Sequence, residues 1–279
     1  DRGAFAPARQ EAIAALDALR ENNTVDALAE FERATKAFEN SLAQRAAMRA
    51  DMAREDSEDY RRLGRLTYVS APSRSLGAYR EAAKLDTSDV WALIYLARLE
   101  QTHGDGLNAA LSVLKTAGSN AANDRDRSVI FDDVGNVQTA QGDLKAALTS
   151  FQKDLEIRET LAEADPDNAE WQRDLSVSHN KIGDVQRDQG DLKAALSSFQ
   201  KGLEIRETLA KADPDNAEWQ RDVWVSLWRL REFESAGVSW ADIAARMEAM
   251  QAAGTLLPTD QPHLEHARAE AAKDASTET

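Results

Sequence analysis

The amino-acid sequence predicts an all-α solenoid built from antiparallel helix pairs. Of its 279 residues, 42% are hydrophobic, 30% are charged and only 6% are aromatic. The chain has 13 Gly and 6 Pro, a composition that suits amphipathic helices joined by few turns. A 37-residue segment also occurs twice, and in each copy apolar residues lie at helical spacing on both sides of a Gly-Asp pair.

The repeated segment begins at Gly142 and again at Gly190. Residues 142–178 match residues 190–226 at an offset of 48, and 32 of the 37 positions are identical. Solvent-facing positions are retained together with apolar ones, so the segment is a duplication and its identity is no evidence of functional selection. Residues 142–178 are called the first copy below, and residues 190–226 the second copy.

The turns of each copy define its helices. Val134 and Val137 precede the Gly142-Asp143 turn, and apolar residues at helical spacing follow it. Pro166 and Pro214 end the second helices because proline cannot continue a helix, and the Asp-Pro-Asp-Asn segments supply N-caps for the helices that follow. We therefore expect helices of about 20 residues, each roughly 30 Å long.

These residues resemble the tetratricopeptide (TPR) repeat, which has a small residue in its first helix, Gly-Asp at the turn, then Ala and an aromatic residue in its second helix. The matching residues are Gly135, Gly142-Asp143, Ala147 and Phe151, and then Gly183, Gly190-Asp191, Ala195 and Phe199. A final Ala of the pattern is replaced by Asp154 and Gly202. The strings LEIRETLAEADPDNAEW and LEIRETLAKADPDNAEW look like the extended, kinesin-light-chain-like bacterial variant with 48-residue units. The resemblance implies a right-handed superhelix with a general binding role and no activity.

Weaker units flank the duplicated pair, with turns expected near residues 22, 70, 104, 142, 190 and 237. The predicted divisions are an N-terminal extended TPR-like helix pair at 1–55, two near-standard TPR-like units at 56–121, two extended 48-residue units at 122–216, a degenerate last unit at 217–258, a capping helix at 259–275 and a disordered tail at 276–279.

The charge of the chain limits the classes of partner that it can bind. The net charge is −15, and residues 121–216 contain 20 acidic and 12 basic residues, which leaves −8. We expect no nucleic-acid partner because no basic stripe is present, and no membrane partner because the charge opposes anionic lipids and no apolar run approaches the roughly 18 residues needed to span a bilayer. The absence of Cys excludes disulfides and thiol catalysis. We expect a cytoplasmic protein, and the start at Asp1 favours a fragment of a longer chain over a processed one.

The sequence predicts no catalytic residue, no metal and no cofactor. Of the four histidines, His263 and His266 are three residues apart but lack a third ligand. Carboxylates alternate with Lys and Arg at helical spacing, which is typical of solvated helix faces. The Gly-Asp turns lack the glycines and lysine of a phosphate-binding loop, and no nucleophile lies beside a base.

The TPR resemblance places the binding surface on the concave face, which the first helix of each unit lines. Projection of that helix puts six polar residues there: Asp132, Asn136 and Thr139 in one unit, and Asn180, Asp184 and Arg187 in the next. The asparagines would bond to the backbone of an extended peptide, and the aspartates would favour basic side chains. The alternative for each residue is a solvated polar face. Because the stripe is poor in Lys and Arg, an acidic C-terminal peptide is disfavoured.

The repeat pattern is lost in the last unit. At the next offset of 48, Trp224 occupies the position of Ser176, and Trp228 occupies that of Asn180. The two tryptophans lie one helical turn apart, and Arg231 follows them. They form an exposed binding hot spot, or a C-terminal helix covers them through Leu256, Leu257 and Leu264. We include Trp224, Trp228 and Arg231 among the candidate binding residues.

The predicted function is a non-catalytic protein–protein interaction scaffold that binds a neutral-to-basic peptide or protein on an acidic concave groove. The alternative is a sensor or regulatory segment of a larger bacterial signalling or defence protein, controlling an effector domain of TIR, caspase-like or NTPase type in the same chain or in a partner. This alternative rests on the resemblance to bacterial arrays with 48-residue units. The sequence leaves the oligomeric state and the partner's identity open.

Overall fold

The computed structural model describes Ile13, residues 24–233 and residues 236–277. Within these ranges the secondary structure is helical, without strands, as the sequence predicts. The chain divides into two compact units, one ending at Thr87 and one beginning at Ser88. None of the helices in the described ranges is both long enough and apolar enough to cross a membrane.

From residue 24 onward, the first unit contains a long helix, α1 (Thr24–Thr67), packed against α2 (Pro72–Leu85). A Cβ atom at Gly64 would lie 2.7 Å from the ring of Tyr79, so glycine allows the two helices to approach closely there. Helix α1 continues through residues 55 and 56, where we had predicted a boundary between units. No Gly or Pro interrupts the chain between residues 24 and 63, which explains the unbroken helix. The turn predicted at Asn22-Asn23 lies outside the described residues.

The second unit contains nine α-helices within its described residues. They are α3 (Val90–His103), α4 (Leu107–Asn120), α5 (Asp124–Ala140), α6 (Leu144–Ala164), α7 (Ala169–Asp188), α8 (Leu192–Ala212), α9 (Ala217–Leu230), α10 (Trp240–Ala252) and α11 (Gln261–Thr277). Each packs mainly against its neighbours in sequence, and the pairs α3–α4, α5–α6 and α7–α8 have the largest interfaces. Helix α3 also contacts α5, so these two first helices lie side by side.

Glycine and aspartate make the turns inside the duplicated pairs. Gly142 and Gly190 have φ values of 78° and 84°, a conformation that glycine adopts without steric cost. Asp143 then caps α6 by accepting a hydrogen bond from the backbone N–H of Ala146 at 3.0 Å, and Asp191 caps α8 in the same way. The predicted Gly-Asp turns are therefore confirmed at both positions.

The asparagine of each Asp-Pro-Asp-Asn segment caps the next helix. Asn168 accepts a hydrogen bond from the backbone N–H of Trp171, and Asn216 accepts one from that of Trp219, both at 3.2 Å. Helices α6 and α8 end at Ala164 and Ala212, two residues before the prolines.

The core of each duplicated pair is a phenylalanine packed against a glycine. A Cβ atom at Gly135 would lie 2.6 Å from the ring of Phe151, and one at Gly183 would lie 2.7 Å from that of Phe199. Ala147 and Ala195 are fully buried beside these rings. The small residues of the repeat therefore serve helix packing.

The C-terminal helices enclose a separate core of Trp224, Met247, Leu264 and Ala267, all nearly inaccessible to solvent. Helix α11 begins close to the predicted start of a capping helix at residue 259. It continues to Thr277, so residues 276 and 277 are helical and do not belong to the predicted disordered tail.

Candidate functional site

The first helices of successive pairs are joined by polar side-chain contacts. The guanidinium of Arg98 on α3 donates to both carboxylate oxygens of Asp133 on α5, each at 3.1 Å. The ammonium of Lys181 on α7 donates to the side-chain oxygen of Asn136 on α5 at 2.5 Å. Arg229 on α9 lies 3.6 Å from the carboxylate of Asp184 on α7. We call this row, formed by Arg98, Asp133, Asn136, Lys181, Asp184 and Arg229, the first-helix face.

Two of these contacts are the same contact repeated 48 residues apart. Lys181 and Arg229 occupy equivalent positions, as do Asn136 and Asp184. Each cation therefore reaches back from its own helix to a polar residue on the preceding first helix. Arg187 adds a link in the other direction, because its guanidinium lies 3.5 Å from Glu232, just beyond the end of α9.

Burial shifts the carboxyl groups of this face toward the neutral form. Desolvation raises the pKa of Asp132, Asp133 and Asp184, against the attraction of nearby cations. Lys181 opposes the shift at Asp132, and Arg229 is the strongest opposing charge at Asp184. One carboxylate oxygen of Asp132 is buried without a hydrogen-bond donor, although the other accepts from the side-chain amide of Asn136 at 3.0 Å. The carboxyl groups of this face therefore carry a desolvation cost that the nearby cations only partly offset.

No protein-family model matches the sequence, and no curated protein matches it. Solved structures do match. The crystal structure of PilW, a type IV pilus biogenesis factor, is 12% identical, with 92% of this chain and 98% of that chain covered and a TM-score of 0.51. YrrB, a TPR protein with an unusual peptide-binding site, is 19% identical over 77% of this chain and 92% of its own, with a TM-score of 0.42. PilF of Pseudomonas aeruginosa is 16% identical over 80% and 89%, with a TM-score of 0.45.

These structural neighbours are TPR proteins. The chain has the TPR fold. At these identities the likeness concerns the fold alone, so the roles of individual residues depend on the geometry of this chain.

Within this TPR fold, most of the predicted polar stripe already has internal partners. Asp132 bonds to Asn136, which in turn accepts from Lys181. Asp184 lies near Arg187 as well as Arg229, at 3.4 and 3.6 Å. The Thr139 hydroxyl donates to the carbonyl of Gly135 in its own helix. Five predicted residues are partly exposed: Asp132, Asn136, Thr139, Asp184 and Arg187. The first-helix face is therefore accessible to a ligand although its charges are paired.

Asn180 is not on the surface, contrary to the prediction. Its side chain is 4% exposed, and with the amide oxygen turned toward Arg206 it accepts two hydrogen bonds, at 2.9 and 3.1 Å. Gly202 on α8 leaves the space that this amide occupies. A helical projection of α7 alone could not predict that Asn180 is buried, because its inward position depends on a glycine in the facing helix.

The two tryptophans are covered by the C-terminal helix, so the exposed hot spot does not exist. Trp224 is 3% exposed, and Trp228 is partly buried with its ring centroid 4.9 Å from that of Trp240. His263 stacks on both Trp224 and Trp228, at 5.7 and 5.3 Å, and Leu264 fills the core beneath. Leu257, which we had included in the cover, is 48% exposed.

The remaining residues of this region are structural partners as well. His266 lies 5.5 Å from the ring of Trp228 and 5.2 Å from that of Trp240. Arg231 packs its guanidinium over Trp240 at 5.5 Å and lies 3.7 Å from Asp274 on α11. Both histidines therefore face an aromatic core, and Arg231 helps to hold the capping helix in place.

Proposed function

We propose that this chain is a non-catalytic scaffold that binds a neutral-to-basic peptide or protein segment on its first-helix face. The observation that carries the proposal is the contact repeated at 48 residues, with Lys181 on Asn136 and Arg229 on Asp184. The side-chain amide of Asn136 on α5 and the carboxylate of Asp184 on α7 thus lie at equivalent positions of successive first helices. A segment lying across those helices would meet similar groups at regular intervals.

The energetics of these contacts favour exchange with a ligand. Asp184, Arg187 and Arg229 are each about a third exposed, and ion pairs at that exposure are worth about 0–1 kcal/mol. A lysine or arginine of a bound segment can therefore replace Arg229 beside Asp184 at little cost. Burial disfavours the charged form of Asp184. The cation of the bound segment, next to Arg187, therefore stabilises the ionised carboxylate.

Selection of displayed random peptides on the immobilised full chain tests the proposal. The enriched peptides should contain Lys or Arg and no excess of acidic residues. Isothermal titration calorimetry should show that Asn136→Ala and Asp184→Ala each weaken binding about tenfold, close to 1.4 kcal/mol. Glu159→Ala, which removes an exposed carboxylate from the second helix α6, should leave the affinity unchanged.

Two results would contradict the proposal. Enrichment of acidic peptides would exclude the predicted charge preference. Unchanged affinity in both Asn136→Ala and Asp184→Ala, for peptides that do bind, would place the ligand on another surface.

A further inference from the structure

A groove of about 600 Å³ lies on another part of the duplicated region, between the α6–α7 turn, the C-terminal half of α8 and the start of α9. Its volume falls within the roughly 300–1,000 Å³ that ligand sites in proteins occupy. Ile205, Leu209 and Trp219 supply its apolar surface. The groove shares no residue with the first-helix face.

Carboxylates surround this apolar surface without cations to compensate them. Asp167, Glu204 and Asp213 all line the groove, and all three are exposed. Across the described part of the chain, none of the three side chains forms an ion pair or a side-chain hydrogen bond, and no Lys or Arg lines the groove. This differs from the first-helix face, where carboxylates are paired with the protein's own cations.

Side-chain hydrogen bonds hold the walls of the groove in place. The amide of Gln172 donates to the carbonyl of Pro166 at 3.3 Å, and that of Gln220 donates to the carbonyl of Pro214 at 3.2 Å, so both proline turns are tied to the helices that follow them. Arg173 on α7 bonds to Asp222 on α9 at 2.7 Å and lies 2.8 Å from Glu218. A preformed groove loses less conformational entropy when a ligand binds.

The equivalent position 48 residues earlier has the same apolar residues but a different wall. Ile157, Leu161 and Trp171 correspond to Ile205, Leu209 and Trp219. At this offset, however, Pro166 and Asp167 correspond to Gly118 and Ser119, which lie inside helix α4 and not in a turn. Of these two positions, the one beside the second copy alone has a proline and a third carboxylate.

We propose that this groove binds a linear segment of a partner protein in which an apolar side chain lies between Lys or Arg residues. The apolar side chain packs against Ile205, Leu209 and Trp219, and the flanking cations pair with Asp167, Glu204 and Asp213. The chain then has a second protein-binding site, separate from the first-helix face, that selects an apolar side chain together with basic residues.

Fluorescence anisotropy of the full chain with labelled model peptides tests this site. The probe is a peptide with one Leu between Lys and Arg residues. The comparison peptides replace that Leu with Ala, or the basic residues with Glu. We expect saturable binding of the first peptide, about tenfold weaker binding of the Ala peptide, and no binding of the Glu peptide below about 1 mM.

The duplication supplies matched control variants. Thr208 lines the groove, and Thr160 is its counterpart; both are exposed and donate a hydrogen bond to the carbonyl four residues earlier, of Glu204 and Glu156. Thr208→Arg and Glu204→Arg should weaken binding at least about tenfold, whereas Thr160→Arg and Glu156→Arg should change it less than about twofold. Equal melting temperatures show that all four variants fold.

Three outcomes would contradict the groove proposal, and the experiment distinguishes them. Equal loss in Thr208→Arg and Thr160→Arg would show general attraction to an acidic surface and overturn the proposal. Loss in Asp184→Arg without loss in Thr208→Arg would place the peptide on the first-helix face, which supports the proposed function and overturns the groove. Absence of saturable binding below about 1 mM would also overturn it.

Discussion

Arg158 and Arg206 occupy equivalent positions in the two copies, but only Arg158 lies beside a buried carboxylate. Asp154 is fully buried and accepts hydrogen bonds from Arg158 at 2.7 Å and from the hydroxyls of Ser128 and Ser178 at 2.5 Å. Burial alone would lower the pKa of Arg158, but the charge and hydrogen bond of Asp154, together with the charges of Asp174 and Asp132, raise it. The first copy therefore contains a compensated buried ion pair.

The second copy has Gly202 where the first has Asp154. Arg206 is 6% exposed and donates to the hydroxyls of Ser176 and Ser226, at 3.1 and 2.8 Å, and to the carbonyl of Asp222 at 3.2 Å. Burial lowers its pKa, with Asp222 the main opposing charge. This cation is solvated by neutral oxygens instead of a paired carboxylate.

The two pairs differ at two positions that face each other across the helix interface. Asp132 of the first pair corresponds to Asn180, and a Cβ atom at Gly202 would lie 2.9 Å from the Asn180 amide. The amide thus fills the space that glycine leaves and contacts the arginine. Helix pairs with the same turns and the same phenylalanine–glycine packing can therefore enclose interiors of different charge.

Replacing each arginine with methionine should have the largest effect on this comparison. Arg158→Met leaves Asp154 buried without its cation, and removal of one partner of a buried pair costs about 3–5 kcal/mol. Arg206→Met removes a buried charge that has no carboxylate partner and should cost less than about 1 kcal/mol. Urea unfolding followed by circular dichroism at neutral pH measures both changes.

The two methionine variants serve as controls for each other, because the side chains are equally buried on equivalent helices. Similar losses of stability in the two variants would show that Asp154 does not distinguish the copies. A larger loss in Arg206→Met would reverse the comparison.

His179 on α7 gives the α7–α8 pair a buried histidine, whereas its equivalents in the neighbouring units are Phe131 and Leu227. Burial, with a smaller contribution from Lys201, lowers the pKa of His179 to about 4. In the unfolded chain it is about 6.5, so the unfolded state binds more protons between these values and stability falls as the pH drops through that window. His179→Leu should reduce this loss by on the order of 1–2 kcal/mol.

Urea unfolding at several pH values between 4 and 7 measures the dependence. His103→Leu is the control, because it replaces an exposed histidine with the same residue. A wild-type profile retained in His179→Leu would show that other groups cause the acid sensitivity.

The sequence was sufficient to predict local structure wherever a residue type determines it. Gly142 predicts a turn because glycine adopts a positive φ without steric cost, and Pro166 predicts one because proline cannot continue a helix. Phe151 with Gly135 predicts the helix packing. The boundary at residue 55 was wrong because repeat spacing was given more weight than the absence of any helix-breaking residue in α1.

The candidate site was less predictable because it depends on contacts between distant residues. Trp224 is buried because α10 and α11 fold back over it, and Arg221 anchors the start of α11 by donating to Asp260, 39 residues away, at 2.7 Å. Asn180 points inward only because of Gly202 on another helix. A helical projection identifies one face of a helix but not which neighbour covers it.

The smallest expected effect concerns Asp132, whose equivalent is Asn180. Desolvation raises the pKa of Asp132, the nearby Asp154 adds to the shift, and one of its oxygens has no donor. Asp132→Asn should therefore stabilise the protein by about 0.5–1 kcal/mol at neutral pH, because it removes the penalty for an ionised, poorly satisfied group. Because the folded pKa lies above the unfolded value of about 3.9, this penalty is complete above the folded pKa and absent below both. The gain measured by urea unfolding should thus shrink as the pH falls toward about 4, whereas a constant gain would assign it to packing instead of charge.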